Sequence, residues 1–331
     1  MSRSLSLFLI LAAIFLTASC NEGTQTKPTA SGMAGEVAIV MDKPNWEGEM
    51  GATFRASLAA EFPFLPQAEP VFTLFNVPHN AFNALFQSHR NLVIVSISPE
   101  YEVGTMVIQE NVWAAPQIVA TFSGPNASEI LACFDQQKER LINAIEQAER
   151  NRVIAVSKRY EERTLRLLVN ESFGGSPRFP QDYFLKKQAK NFIWITRETT
   201  NIIQGILVYS YPYVDSTSLS KEVMIRESKR VMREQVPGAT ENSYMVFSQV
   251  IEPDLRWIHY SGQDFGELRG LWDVQNDYMG GPFVSHFYLD VSKRQVLVLH
   301  GFVYAPRYDK RNYVRQIESI LYSFEWEGES E

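Results

Sequence analysis

Hydrophobic residues alternate with polar ones, or form short runs rich in β-branched side chains, at many places along the chain. In the first half these runs predict strands at 36–41, 71–77, 92–97, 105–109 and 117–122. In the second half they predict strands at 192–196, 205–211, 243–250, 255–260, 284–289 and 295–304.

Apolar residues at spacings of three and four predict helices between these strands. The predicted helices begin at Asn45, Asn126, Leu219 and Asp309. The second is the longest: Asn126 and Glu129 form a capping-box pattern, and the helical stretch ends at the glycines 174–175.

Strands that follow one another between well-separated helices favour an α+β fold with antiparallel sheets packed against helices. The long helical segment is the natural divider between two α/β halves. We therefore predict an N-terminal half at 36–175, which includes the long helical region, and a C-terminal half at 176–326.

The first twenty residues have the features of an export signal. Residues 7–16 are an apolar run too short to cross about 30 Å of hydrocarbon as a helix. Small residues at 17–19 precede Cys20, which resembles the lipobox of bacterial lipoproteins, where the thiol takes a diacylglyceryl group. We predict a signal peptide at 1–19, lipidation of Cys20 and a flexible tether at 20–35. The alternative is an ordinary secretory signal with a chance cysteine.

Composition and charge narrow the classes of protein. A net charge of -7 argues against a nucleic-acid partner, because such proteins neutralise phosphates with basic patches. A hydrophobic content of 45% indicates an ordered globular body. Once Cys20 is lipidated, Cys133 is the remaining cysteine, so no intramolecular disulfide is expected. Cys133 lies on a helical apolar stripe, which favours a core residue over a nucleophile.

The densest group of polar, aromatic and glycine residues lies at 269–283. The residues suited to gripping a polar ligand or a partner chain are Arg269, Trp272, Asp273, Asn276, Tyr278, Gly280 and Gly281. The alternative is a tight connection between strands, in which Trp272 and Phe283 fill the core.

Other chemistry-bearing residues do not form a recognisable catalytic pattern. The histidines at 259, 286 and 300 lie in predicted strands and are expected to be packed or hydrogen-bonded rather than metal-bound. The sequence has no phosphate loop, no dinucleotide fingerprint and no nucleophile elbow, and we expect no cofactor. An aromatic cluster at 209–213 suits either a sugar or protein contact or, by strand alternation, the core.

Several segments resemble one family, the Bacteroidetes envelope proteins known as domain of unknown function 4837. The segments are GEVAIVMDKPNWEG, LPQAEPVF, VWAAPQ, NFIWITRET, QGILVYSYPYVD, VPGATENSYM, ELRGLWDVQNDYMGGPF and HGFVYAPRYDKRNYVRQIESILYSF. The resemblance extends from about Gly35 to Phe324 and implies a lipoprotein of the Bacteroidetes cell envelope. It implies no reaction.

The leading hypothesis is a non-catalytic, lipid-anchored envelope protein, placed at the outer membrane, that binds a protein partner or a cell-envelope component. The alternative is an envelope enzyme of hydrolase type with carboxylates near the 272–282 loop. A third hypothesis, a carrier of a small apolar ligand, requires a lined internal cavity.

Overall fold

The computed structural model describes residues 26–328, which form two large sheets, a two-stranded ribbon and the helices that cover them. The predicted α+β class is confirmed. Cys20 and the predicted signal peptide at 1–19 lie outside the described residues.

The strands are β1 Glu36–Val40, β2 Thr73–Val77, β3 Asn91–Ile97, β4 Thr105–Glu110, β5 Ile118–Gly124, β6 Gly175–Ser176, β7 Phe184–Ala189, β8 Phe192–Glu198, β9 Ile203–Pro212, β10 Met245–Phe247, β11 Asp254–Tyr260, β12 Gln263–Val274, β13 Gly280–Asp290, β14 Gln295–Tyr304 and β15 Glu325–Trp326. The α-helices are α1 Lys43–Glu47, α2 Glu49–Leu58, α3 Ala84–Gln87, α4 Ala127–Arg159, α5 Arg163–Phe173, α6 Lys221–Gln235 and α7 Arg311–Tyr322.

The first half contains a five-stranded sheet in the order β2-β1-β3-β5-β4. Strand β1 runs parallel to β2 and β3, and β3 runs parallel to β5, whereas β4 and β5 are antiparallel. The sequence predicts antiparallel sheets, but in this sheet only the β4–β5 pair is antiparallel. The physical reason is that helical crossovers such as α1–α2 return the chain to the same end of the sheet, which produces parallel neighbours.

The predicted long helical segment is two helices. Asn126 caps α4 as expected, because its side chain accepts a hydrogen bond from the backbone N–H of Glu129 at 3.0 Å. Helix α4 ends at Arg159, and α5 begins at Arg163 after a short break. The helix α4 packs its buried residues Ile130 and Phe134 against the five-stranded sheet, so it belongs to the first core as much as it divides the halves.

The second half contains an eight-stranded antiparallel sheet in the order β10-β12-β13-β14-β9-β8-β7, with β11 paired to the first part of β12. Helix α6 covers one face, where it buries Met224 and Met232 against Trp272 and its neighbours. Helices α5 and α7 cover the other face, where Ile317 and Leu321 are buried. The two faces of β12 therefore lie in different cores.

A carboxylate from the first half caps helix α7 of the second half. The buried side chain of Glu69 accepts hydrogen bonds from the backbone N–H groups of Lys310 at 2.6 Å and Arg311 at 2.9 Å. Asp309, the expected cap, is not the capping residue. A carboxylate at a helix N-terminus satisfies free N–H groups and complements the helix dipole. This contact joins the two halves across the sequence.

The predicted tether is partly docked. The backbone of residues 28–31 hydrogen-bonds to Ala115, Ser88 and Arg90 at 2.9–3.1 Å. The expected flexible tether at 20–35 therefore does not extend to residue 35. Its residues 28–31 are held because their backbone groups hydrogen-bond to the first half. Among the described helices, none is both long and apolar enough to span a bilayer.

Candidate binding cleft

The residues predicted to form a binding loop lie on two strands and the turn between them. Arg269, Trp272 and Asp273 belong to β12, Asn276 and Tyr278 to the turn, and Gly280 and Gly281 to β13. Successive side chains of a strand point to opposite faces, so Arg269 and Trp272 lie on different sides of the sheet. The structure does not bring these residues into one site.

Trp272 is part of the core under α6. Its ring packs edge-on against Phe302 with 5.2 Å between centroids, and its indole Nε1–H donates to the carbonyl oxygen of Val303 at 3.2 Å. Gly281 leaves room for this contact, because a Cβ there would lie 2.1 Å from the same Val303 oxygen. Trp272 and the buried Phe283 therefore fill the core, as the alternative interpretation stated.

The turn between β12 and β13 is tight and solvent-facing. Asn276 has a positive φ of 63°, a conformation that asparagine tolerates better than most residues. The whole side chain of Tyr278 is exposed, and the backbone N–H of Tyr278 donates a hydrogen bond to the Asp277 carboxylate at 2.6 Å. Gly280 leaves space for the half-buried Asp273, whose Oδ1 lies 2.6 Å from where a Cβ would be. One exposed aromatic residue at a turn does not make an enclosed site.

Arg269 points to the α7 face and is held by two carboxylates. Its Nε donates to Glu267 Oε1 at 2.7 Å, and its terminal nitrogen donates to Glu318 on α7. Burial opposes the charge, but Glu318 and Glu267 outweigh it and raise the pKa of Arg269. A guanidinium bound to two carboxylates has its charge satisfied within the protein.

Glu267 is also the centre of a buried hydrogen-bond network. Its Oε2 accepts from the Tyr322 hydroxyl at 2.9 Å and contacts His286 Nε2 at 3.2 Å. Burial alone disfavours ionisation, but the Arg269 charge and the His286 hydrogen bond hold the pKa of Glu267 well below its usual range. Burial lowers the pKa of His286, so its neutral ring donates from Nε2 and accepts from Tyr288 at Nδ1.

This network forms the floor of a cleft of about 450 Å³ at the junction of the two halves. One wall is α4, another is β11, the floor is β12 and α7, and the loop at 62–64 covers one end. The volume lies within the range of small-molecule sites, roughly 300–1,000 Å³. The cleft is therefore built from elements far apart in sequence.

Glu146 is one of two acids of α4 that line this cleft. Its Oε1 lies 3.5 Å from a terminal nitrogen of Arg315, which also donates to the Val71 carbonyl at 2.9 Å. Burial and the negative charge of Glu318 together raise the pKa of the Glu146 carboxyl. Glu146 and Glu318 therefore lie near enough to interact, and both line the cleft.

Aromatic side chains form the rest of the lining. The Tyr260 and Tyr322 rings meet edge to face at 4.9 Å between centroids. The guanidinium of Arg150 covers Tyr322 at 3.7 Å from the ring centroid. Phe64 lines the cleft from the loop with a positive φ of 57°, a strained conformation for a bulky residue. Strain of this kind is typical of ligand-contacting positions.

A second hollow of about 810 Å³ shares Tyr260 and Tyr322 with the first. It continues along α4 past Asn151 and Lys158 and is closed by the β11–β12 turn and the segment that contains Glu325. These two adjacent hollows, which share two lining tyrosines, are together called the groove.

The other singled-out groups have structural surroundings. Cys133 is buried, and burial raises the pKa of its thiol. Tyr209 and Tyr211 are buried and donate to Ser228 Oγ and the Ser218 carbonyl. His259, expected to be a packed or hydrogen-bonded core residue, is hydrogen-bonded to Asp264 but lies on the surface, because its side of β11 faces solvent. Within residues 26–328, no three potential metal-ligating side chains cluster.

The sequence does not predict the cleft, although the residues of its walls recur at the spacings of a helix face and a strand face. The α4 residues at 143, 146, 147 and 150 follow one helical face, and so do the α7 residues at 315, 318, 319 and 322. The β11 residues at 256, 258 and 260 follow one strand face. Each stripe mixes charged and aromatic residues, and the same mixture is typical of helix and strand faces exposed to solvent. Only the tertiary arrangement distinguishes the wall of a cleft from such a solvent-exposed face.

Comparison with protein-family models supports the resemblance to domain of unknown function 4837 for the C-terminal half of the chain. Residues 163–323 match the family model described as Domain of unknown function (DUF4837). Residues 30–158 match a different family model, also described as a domain of unknown function (DUF8532). The match to the first family thus covers the C-terminal half, not the whole stretch from 35 to 324. The cleft takes residues from both matched segments.

One solved structure is similar over part of the chain. It is a crystal structure at 1.50 Å resolution of a protein from Bacteroides thetaiotaomicron VPI-5482, 11% identical with a TM-score of 0.26. The match covers 48% of this chain and 47% of the solved chain, so this chain spans about half the length of that protein. No curated protein matches the chain.

Proposed function

We propose that this chain is a lipid-anchored, non-catalytic protein of the bacterial cell envelope that binds an envelope component in the cleft between its halves. The envelope location rests on the apolar run at 7–16 and on Cys20. The lipid on Cys20 anchors the protein, at the outer membrane, and the residues between Cys20 and the docked segment at 28–31 connect the lipid to the body.

The observation that carries the binding role is the cleft itself. It has the volume of a ligand site, a floor fixed by Glu267, Arg269 and Glu318, and aromatic residues in its lining. Preformed concave sites with a few fixed polar groups are typical of ligand binding. The net charge of -7 disfavours nucleic acid as the partner.

Fractionation of cells tests the anchoring. The Cys20→Ala protein should leave the membrane fraction, because a thioether-linked lipid is then impossible. Wild-type protein should need detergent for extraction. If Cys20→Ala protein stays in the membrane fraction and still requires detergent, the lipoprotein proposal is wrong.

A second candidate, an envelope hydrolase, is favoured by one observation. Glu146, with its raised pKa, faces Glu318, which is paired with Arg269. A carboxylic acid with a raised pKa beside a second carboxylate is an arrangement that enzymes use for general-acid hydrolysis. These acids lie in the cleft rather than at the 272–282 loop. Under this candidate, Glu146→Gln abolishes turnover while ligand affinity changes less than roughly threefold.

A further inference from the structure

The charges that line the cleft balance. Four acids line it, namely Glu146, Glu149, Glu267 and Glu318, and four arginines line it, namely Arg150, Arg256, Arg269 and Arg315. A site with equal numbers of both signs gives no net attraction to a cation or an anion. Such a site therefore favours an electrically neutral ligand.

Three of the four arginines have partners inside the protein, and the fourth, Arg315, donates to the Val71 carbonyl but keeps a buried terminal nitrogen without a hydrogen-bond partner among the described residues. Arg269 binds Glu267 and Glu318, and Arg256 Nε donates to Asp254 at 2.9 Å. Arg150 donates to Gln147 Oε1 at 2.9 Å and covers the Tyr322 ring. Donors committed in this way are poorly placed to hold an anionic ligand.

Oxygen acceptors also remain free in the cleft. Among the described residues, the Asn143 side chain and the second carboxylate oxygens of Glu146 and Glu318 have no hydrogen-bond partner in the protein, and all three line the cleft. Carboxylate oxygens accept hydrogen bonds, and an amide both accepts and donates. With the balanced charge and the free Arg315 nitrogen, these acceptors favour a neutral ligand whose groups both donate and accept hydrogen bonds, as hydroxyl groups do.

The aromatic residues complete this pattern. Phe64 and Tyr260 offer apolar ring surface beside the polar acceptors. The negative face of an aromatic ring attracts polarised C–H groups, such as those on one side of a sugar ring. The second hollow, which shares Tyr260, extends the groove beyond one ring.

We propose that the groove binds a neutral glycan, a chain of several uncharged sugar residues, with its hydroxyl groups on Glu146, Glu318 and Asn143 and one ring against Phe64. This inference rests on the proposed binding function and names the ligand class for that site. It commits to sugar hydroxyl groups rather than to a charged peptide or an anionic polymer.

Calorimetric titration of the full-length chain tests the proposal, in a detergent without a sugar headgroup so that detergent does not compete. The probes are the hexaoses of cellulose, xylan, starch and chitin, together with two charged probes, chitosan hexaose and hexagalacturonate. Chitosan hexaose matches chitin hexaose except for its amino charges. We expect at least one neutral hexaose to bind, with the charged probes weaker by at least roughly tenfold.

Variants then locate the binding. Phe64→Gly removes the ring and suits the positive φ of that position, so the loop keeps its conformation. Phe64→Gly and Asn143→Ala should each weaken binding by roughly tenfold or more. Leu167→Ala, exposed on α5 and outside the groove, should leave affinity unchanged. Thermal melting of each variant shows whether the fold is intact.

Several results would overturn the proposal. Tighter binding of either charged probe would refute a neutral ligand, and undiminished affinity in both Phe64→Gly and Asn143→Ala would remove the glycan from this groove. If none of the hexaoses binds, the glycan assignment is wrong. The broader binding function survives that result if a photocrosslinker placed in the cleft still captures a defined envelope molecule, so the two failures are distinguishable.

Discussion

Replacement of Arg269 by methionine tests the account of the cleft floor. The substitution keeps an unbranched apolar stem but removes the cation that Glu267 and Glu318 share. Both carboxylates are buried, at 4% and 10% side-chain exposure. Removal of one partner from a buried charge network leaves an uncompensated charge and costs about 3–5 kcal/mol. We therefore expect the unfolding free energy of Arg269→Met to fall by about 3–5 kcal/mol at pH 7.

The deficit should depend on pH in a definite direction. In the wild-type protein Glu267 has a depressed pKa, so its stabilising contribution is present at neutral pH and is lost as pH falls below the ordinary glutamate range. Without Arg269, two buried acids lie close together and the native state holds a proton that the unfolded state releases. The unfolding free energy of the variant then decreases as pH rises, and its deficit grows from about pH 4 to pH 7.

Urea denaturation at pH 4, 5.5 and 7 measures this effect. Arg256→Met is the matched control, because Arg256 is exposed and paired with Asp254, and such surface pairs contribute about 0–1 kcal/mol. Addition of Glu318→Gln to Arg269→Met should recover part of the loss at pH 7. A deficit below about 1 kcal/mol, or one that is constant with pH, would refute the assigned role of Arg269.

Three further predictions concern the second half. In urea denaturation, Trp272→Ala should lower the unfolding free energy by about 3–5 kcal/mol, because the side chain is buried, and Tyr278→Ala by less than about 0.5 kcal/mol, because the side chain is exposed. Similar losses in both variants would contradict the core placement of the tryptophan. Gly281→Ala should destabilise the chain by at least about 1–3 kcal/mol, since its Cβ overlaps the Val303 oxygen; an unchanged melting temperature argues against that contact. Burial lowers the pKa of His300 to about 3, so its NMR signals should report a neutral ring at pH 5. Its contribution to stability is full above about pH 6.5 and declines as pH falls toward 3, because only the unfolded chain is protonated in that interval.

Local patterns in the sequence predict most elements of the fold because each is set by neighbouring residues. Strand β14 matches its predicted bounds of 295–304, and Asn126 caps α4 as its spacing to Glu129 indicates. Strand β12 is missed, since its charged residues at 267, 269 and 273 and its glycines at 266 and 270 are typical of a loop. Those charges are satisfied by contacts with distant residues that no local pattern reveals.

Long-range relations account for the remaining differences. The parallel pairing of β1 with β2 and β3 depends on which way the intervening chain returns to the sheet. The cap of α7 comes from Glu69, more than two hundred residues away, so the nearby Asp309 is a misleading signal. The cleft depends on the same kind of contact, because it forms where α4 and α7 meet, and residues at 269–283 alone do not show it.

A photocrosslinking amino acid placed at one of two positions in living cells tests whether the ligand binds in the cleft. Position 143 lies in the cleft, and position 278 lies at the exposed turn between β12 and β13. Irradiation followed by purification and mass spectrometry detects the adducts, and position 167 on α5 serves as the exposed control. We predict a defined adduct from position 143 and none from 278 or 167. An adduct from position 278 with none from 143 would contradict this prediction and return the binding site to the turn.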